Sequence, residues 1–135
     1  MVVALEGRST HYVRLYAGPD GESHFEDTDV ALVPVEFIPG RPQVDLSARS
    51  AATGTAFIRL PAGWDSGGRY NSPRRNFFVT LSGELEIEAS DGQVRHLGPG
   101  AVLLAEDTSG KGHITRSRGG EWVGMLVTPA SADKP

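Results

Sequence analysis

His113 is the side chain in this sequence best placed to do chemistry. It follows a polar, glycine-rich loop, Ala105 to Gly112, that also carries Glu106 and Asp107. An unperturbed imidazole titrates near neutrality, so it can take up and return a proton at physiological pH. A carboxylate bonded to one ring nitrogen fixes the tautomer of such a ring, and Asp107 or Glu106 is the expected partner. Upstream, the connection from Pro61 to Pro73 holds Trp64, Arg69, Tyr70 and Asn71, with Arg74 next to it. Large polar and aromatic groups in a glycine-rich connection point to a site. Arg69, Tyr70 or Arg74 would stabilise a developing enolate or oxyanion, commonly the largest contribution in such chemistry. The structural alternative for His113 is a hydrogen-bonded core histidine. His11 and His96 read as surface residues of alternating strands, and His24, between Glu22 and Glu26, suits either a solvated face or a site. The loop at 108–112 is no phosphate-binding loop, because the strand–loop–helix context and lysine spacing are missing.

The elements that must position these groups are strands. Phe77, Val79 and Leu81 alternate with Phe78 and Thr80, Ser82-Gly83 is expected to turn the chain, and Leu85, Ile87 and Ala89 then alternate with Glu84, Glu86 and Glu88. The glutamates form a solvent-facing row, a natural partner for Arg74 and Arg75. Asp91-Gly92 signals a hairpin with a primed turn. Further strands are expected at 11–16, 23–25, 30–37, 44–50, 55–60, 94–97, 101–104, 114–117 and 122–127, with Val2 to Leu5 a short edge candidate. Pro34 confines its strand to an edge or an end. No stretch holds a helical period. Many short strands imply a closed or sandwiched β-barrel, whose interior suits a small molecule. Alternation places Asn76, Phe78 and Thr80 inward, with Phe77, Val79 and Leu81 packed outside against a second sheet. An inward His113 brings Thr115 and Ser117 with it.

Composition narrows the function. At 135 residues with 39% hydrophobic content, the chain supports a single domain with one core. The 17 glycines and 9 prolines are dispersed, as turn punctuation is. A formal net charge of -4 argues against a nucleic-acid partner. The absence of cysteine excludes disulfides and thiolate metal sites. No apolar run reaches membrane-spanning length and no signal-peptide pattern opens the chain, so no membrane association and a cytoplasmic location are expected.

The segment from Gly63 to Ser117 resembles the small single-domain bacterial cupins. The first cupin motif reads G-x5-H-x-H-x(3,4)-E-x6-G, and Leu81-Ser82-Gly83-Glu84 looks like its end. Counting back from Gly83 puts Asn76 at the glutamate position, Asn71 at the second histidine and Arg69 at the first. The second motif, G-x5-P-x-G-x2-H-x3-N, is echoed by Thr108-Ser109-Gly110-Lys111-Gly112-His113, with Thr108 in place of proline and Ser117 in place of asparagine. Leu97-Gly98-Pro99-Gly100 looks like the family's Pro-Gly turn. Pro73-Arg74-Arg75-Asn76-Phe77-Phe78, the 105–113 loop and Gly21-Glu22-Ser23-His24-Phe25 are similar to an uncharacterised subgroup with degenerate metal-ligand motifs.

The resemblance implies an all-β, single-domain cupin double-stranded β-helix, or jelly-roll barrel. It divides the chain into N-terminal strands and an arm at 1–54, a barrel core at 55–128 and a flexible tail at 129–135. It also implies a homodimer. Only His113 survives among the ligand positions, so no cofactor is expected beyond a weakly bound divalent transition metal. The chemistry expected is proton transfer on a small oxygenated substrate: isomerisation, cyclisation or dehydration, in the manner of natural-product biosynthesis. His113, Asp107, Tyr70 and Arg69 are the expected catalytic residues. Asn71, Asn76, Phe78, Thr80, Thr115, Ser117, Trp64 and Arg74 are the expected substrate contacts. Two alternatives stand beside it: a metal-dependent oxygenase or isomerase using His113, His24 and Asn76, and a non-catalytic small-molecule binder or sensor.

Overall fold

The computed structural model describes residues 9–130. These contain nine strands: β1 (Ser9–Ala17), β2 (Ser23–Ala31), β3 (Val33–Val35), β4 (Val44–Leu46), β5 (Ala52–Leu60), β6 (Asn76–Ala89), β7 (Val94–Leu97), β8 (Val102–Ala105) and β9 (His113–Pro129). No helix occurs among the described residues, so none is long and apolar enough to cross a membrane. The main sheet has the order β2-β1-β8-β6-β9-β5, with β7 also paired to β6. The architecture is all-β and of the jelly-roll type, a mixed main sheet beside one small two-stranded sheet.

Two long strands make the barrel, where four separate ones were expected. β6 runs through Ser82-Gly83 without turning back. Its first half, around Asn76–Val79, lies between β8 and β9, and its second half, Leu85–Glu88, lies between β7 and β9. The register against β9 slips at Thr80/Ser82 and again at Ser82/Glu84. Such an irregularity bends a strand and changes which residues face inward. Even-numbered Asn76 and Phe78 therefore face the interior before the bend, and odd-numbered Leu85 and Ile87 after it. β9 makes the same change, from His113 and Thr115 to Trp122, across Gly119-Gly120. Gly83 takes φ 81°, and a Cβ there would lie 2.3 Å from the Glu121 carbonyl oxygen. A side chain is excluded on both grounds.

The other turn signal holds in place but not in type. Ala89 N donates to the Gln93 carbonyl, and in this loop only Gly92 has positive φ. The connection is thus a longer loop ending in a left-handed glycine, because Asp91 does not take the conformation a primed two-residue turn needs.

The core contains Val13, Leu15, Leu85, Ile87, Leu97, Leu103 and Trp122. Each such side chain contributes about 1.5–3 kcal/mol on burial. Trp122 donates from Nε1 to Thr80 Oγ1 at 3.1 Å. Gly124 leaves room for the indole, since a Cβ there would fall 2.3 Å from the ring.

The N-terminal strands β1 and β2 join the main sheet. β1 pairs in parallel with β8 and antiparallel with β2, inside the main sheet. Only the small β3–β4 hairpin forms a sheet of its own, and Pro34 sits in it, as an edge strand permits. The Val2–Leu5 candidate and most of the 129–135 tail lie outside the described residues.

The outward surfaces differ in character. Beyond the bend, Glu86 pairs with Arg116 and Arg118, and Glu88 with Arg116. Glu86 is therefore buried under its partners rather than solvated. Arg75 instead pairs with Glu106. Before the bend the outward row is Phe57, Met125, Val79 and Val102, matched across four strands. Among the described residues no second sheet covers this row: Phe57 is 74% and Leu81 49% exposed, while Phe77 meets Tyr12 edge-on at 5.4 Å.

Replacing Gly83 by alanine should lower the unfolding free energy by at least about 2 kcal/mol, since strain and clash act together. Urea denaturation checks this, and a change below about 0.5 kcal/mol, the scatter of a neutral surface substitution, would contradict it.

Candidate functional site

The connection from Pro61 to Ser72 runs beside β9 and is bonded to it like a further strand. Ser117 N donates to the Trp64 carbonyl, Ser66 N to the Thr115 carbonyl, and Tyr70 and His113 exchange both backbone bonds at 3.0 Å. Ser117 Oγ donates to the Pro61 carbonyl at 2.8 Å and accepts from Trp64 N at 2.9 Å. Arg116 reaches Asp65 at 3.0 Å. Backbone pairing with alternation sends Tyr70 and Ser72 inward and Asn71 outward. Gly112 makes this approach possible: at φ 78°, its Cβ would meet the Tyr70 carbonyl oxygen at 2.4 Å.

At the centre is a buried carboxylate. Asp107 is 0% exposed and His113 3%. His113 Nδ1 lies 2.5 Å from Asp107 Oδ2, and Ser72 Oγ donates to Oδ1 at 2.7 Å. With both oxygens bonded, the carboxylate is tolerated away from water. An Nδ1–H donated to Asp107 leaves Nε2 as the basic nitrogen of a neutral ring. Nε2 has no protein partner among the described residues. The Tyr70 ring packs on the imidazole with centroids 4.5 Å apart, and its hydroxyl bonds Thr115 Oγ1 at 2.8 Å. Burial pushes the Tyr70 hydroxyl above its ordinary value and the Asp107 charge adds to the rise, against the Thr115 bond.

His113 lies on the wall of a cavity of about 210 Å³. Leu85, Ile87, Leu103, Ala105 and Trp122 form its buried end, and Ile58, Leu60 and Phe78 its sides. Trp64, Tyr70, Pro73 and Arg74 line it where the protein is exposed, so they form its mouth. Asn76 lines it as well, with Oδ1 accepting from Thr128 Oγ1 at 2.5 Å.

His113, Tyr70, Asn76, Phe78, Thr115, Trp64 and Arg74 thus share one cavity, with Asp107 directly behind the histidine. The other expected residues lie elsewhere. Arg69 is exposed and outside the lining. Asn71 donates from Nδ2 to the Gly110 carbonyl at 3.0 Å, holding the 105–112 loop instead of a ligand. Thr80 is the acceptor beneath Trp122, and Ser117 clasps the 61–64 backbone. Glu106 binds Arg14 and Arg75 and does not touch the imidazole. Sequence reasoning missed Ser72 and Trp122. The signal for Ser72 was its parity with Tyr70; for Trp122 the Gly119-Gly120 break concealed the change of face.

The donors do not fit a transition metal. His24 bonds Asp91 at 2.9 Å and Asp20 at 3.2 Å, away from the cavity. The set His113, His24 and Asn76 is therefore not assembled, and Arg69 and Asn71 at the cupin ligand positions point elsewhere. One imidazole nitrogen and an amide remain, fewer donors than such ions require. No group of three His, Cys, Asp or Glu side chains able to hold a metal occurs among the described residues.

Two solved structures are similar in fold. One is a conserved protein of unknown function from Streptococcus pyogenes, with 20% identity, TM-score 0.46, and coverage of 65% of this chain and 72% of that one. The other is a protein of Salmonella typhimurium, provisionally described as ethanolamine utilization protein Q, with 11% identity, TM-score 0.43, and coverage of 93% and 100%. No family model matches the chain. No curated protein matches it either.

His24 has a structural role with a pH signature. Bonds to Asp20 and then Asp91 raise its pKa above the ordinary 6.5. A raised value in the folded state stabilises fully below the unfolded pKa and is lost as pH rises through the folded one. Thermal melts from about pH 6 to about pH 8 should therefore show wild type losing stability relative to His24→Gln as pH rises. A pH-independent difference between the two would refute the assignment.

Proposed function

We propose that this chain is a cupin-fold enzyme that moves a proton on a small oxygenated substrate held in the cavity. The observation that carries the reading is the buried Asp107–His113 pair on the cavity wall, with one ring nitrogen left unbonded. His113 Nε2 takes the proton from an acidic carbon beside a carbonyl, and the electron pair moves onto the carbonyl oxygen. Asp107 accepts the hydrogen bond from Nδ1–H and stabilises the imidazolium that forms, without itself becoming protonated. Arg74 and the Asn76 amide supply charge and a donor for the oxyanion. Tyr70 packs on the ring and holds its plane. Returning the proton to the same or a neighbouring carbon gives isomerisation; giving it instead to a β-hydroxyl, which leaves as water as the enolate electrons form the C=C bond, gives dehydration. The apolar lining keeps bulk water from quenching the enolate.

Proton exchange tests this without knowledge of the natural substrate. Incubated in D2O with a panel of small enolisable ketones and keto acids, the protein should catalyse α-deuteration of at least one, read by proton NMR. His113→Gln should slow it by about 10²–10⁴-fold, the usual contribution of a general base. An equal rate in the variant would remove His113 from the mechanism, and no exchange across the panel would favour a non-catalytic binder.

The expected homodimer is part of the same proposal. The outward row of Phe57, Met125, Val79 and Val102 is apolar where a solvated sheet face would be polar. The β3–β4 hairpin carries its own exposed apolar groups, Phe37 at 53% and Ile38 at 55%. A two-stranded hairpin is marginal alone in water, so a second copy supplying this arm would cover both surfaces. Sedimentation should find a dimer for wild type and a monomer for Phe57→Asp; a monomeric wild type would exclude this assembly.

A further inference from the structure

The hydrogen-bonding capacity left unused around the cavity defines the ligand's chemistry. Ser72 donates to Asp107 and Trp122 to Thr80, while Tyr70 and Thr115 share one bond that leaves a single hydroxyl proton over. Asn76 Oδ1 is taken by Thr128, which leaves the Nδ2 protons to give. Arg74 has no carboxylate or carbonyl partner among the described residues, although most other cations near the site are paired: Arg75 with Glu106, Arg116 with Glu86, Lys111 with Glu22. The cavity wall therefore offers a cation at the mouth, an amide donor, one hydroxyl proton of the Tyr70–Thr115 pair, and neutral acceptors in the Nε2 nitrogen and the hydroxyl oxygens. Among the described residues no carboxylate lines the cavity, since Asp107 stands behind the imidazole. An ammonium group would find no counter-charge among the described residues of that wall, and a row of sugar hydroxyls would meet mostly apolar side chains.

The remaining lining is apolar and aromatic, and the volume of about 210 Å³ equals that of about seven waters at ~30 Å³ each. From this we infer that the ligand is a compact aromatic or unsaturated monocarboxylate. Its carboxylate binds Arg74 at the mouth, and its apolar body reaches inward toward Trp122 past His113. Guanidinium and carboxylate match as a fork to two oxygens, a geometry that a lysine or a neutral amide does not reproduce. This substrate class rests on the reading of the cavity as the reaction site, but not on the proton transfer itself.

The chain's two tryptophans, Trp64 and Trp122, both line the cavity, so its intrinsic fluorescence reports on occupancy. The probes are benzoate, cinnamate and 1-naphthoate, each beside its neutral carboxamide and its aminomethyl counterpart, with glucose as a polyol. The carboxylates should bind about ten- to a hundredfold more tightly than their carboxamides, the range for one charge-assisted contact. Arg74→Gln should erase that preference, and Arg74→Lys should keep only part of it. His113→Gln should retain carboxylate binding. Equal or tighter binding of the amides, amines or glucose would overturn the inference, as would an unchanged preference in Arg74→Gln. Carboxylate binding without any α-deuteration would refute the catalytic reading alone; exchange on neutral ketones with no carboxylate preference would refute this one alone.

Discussion

A carboxylate removed wholly from water has to find a partner for each oxygen inside the protein, and Asp107 imposes that constraint on the site. Its two oxygens are met by Ser72 and His113, which lie on different segments. Meeting both forces the 61–72 connection against β9 and fixes the imidazole plane. The Tyr70–His113 bridge, the Asn71 clasp on the loop carbonyls and the left-handed Gly112 all serve the same closure. Leaving one oxygen of such a group unpaired would cost about 1–3 kcal/mol or more, so these contacts stand or fall together.

The cavity depends on a second constraint, the change of parity in β6 and β9. A straight β6 with Asn76 and Phe78 inward would put Glu84, Glu86 and Glu88 inside as well. The slips around Ser82 and Gly83 exchange these for Leu85 and Ile87 and send Glu86 and Glu88 out to Arg116 and Arg118, and Glu84 to His96. One bend thus separates an ion-paired outer surface from an apolar interior. It also divides the outward side into a charged half and an apolar half, although both are built from the same two strands.

This arrangement gives the site its asymmetry. Apolar groups fill the closed end, one basic nitrogen stands on the wall, and at the mouth stands a guanidinium without an acidic partner among the described residues. Chemistry that needs an oriented base beside a desolvated carbon fits that order. Chemistry that needs several metal ligands does not, because the nitrogen and oxygen donors nearby are already committed to one another.

Period-two alternation in 77–89 and 94–127, with glycine and proline as punctuation, identified an all-β barrel. The polar loop before His113 marked the histidine and its carboxylate, because those signals are local. Local pattern could not tell a turn at Ser82-Gly83 from a bend, since both need the same left-handed glycine. Parity with Tyr70 turned Ser72 inward, but its role could not be read from that, since it depends on Asp107, buried beside it from 35 positions away. Motif alignment placed Arg69 and Asn71 by position, yet side-chain direction follows from pairing with β9. The sequence by itself determined which residue types alternate and where the chain can reverse. Tertiary structure decided which face each strand presents and which polar groups keep a bond to spare, because long-range pairing sets both.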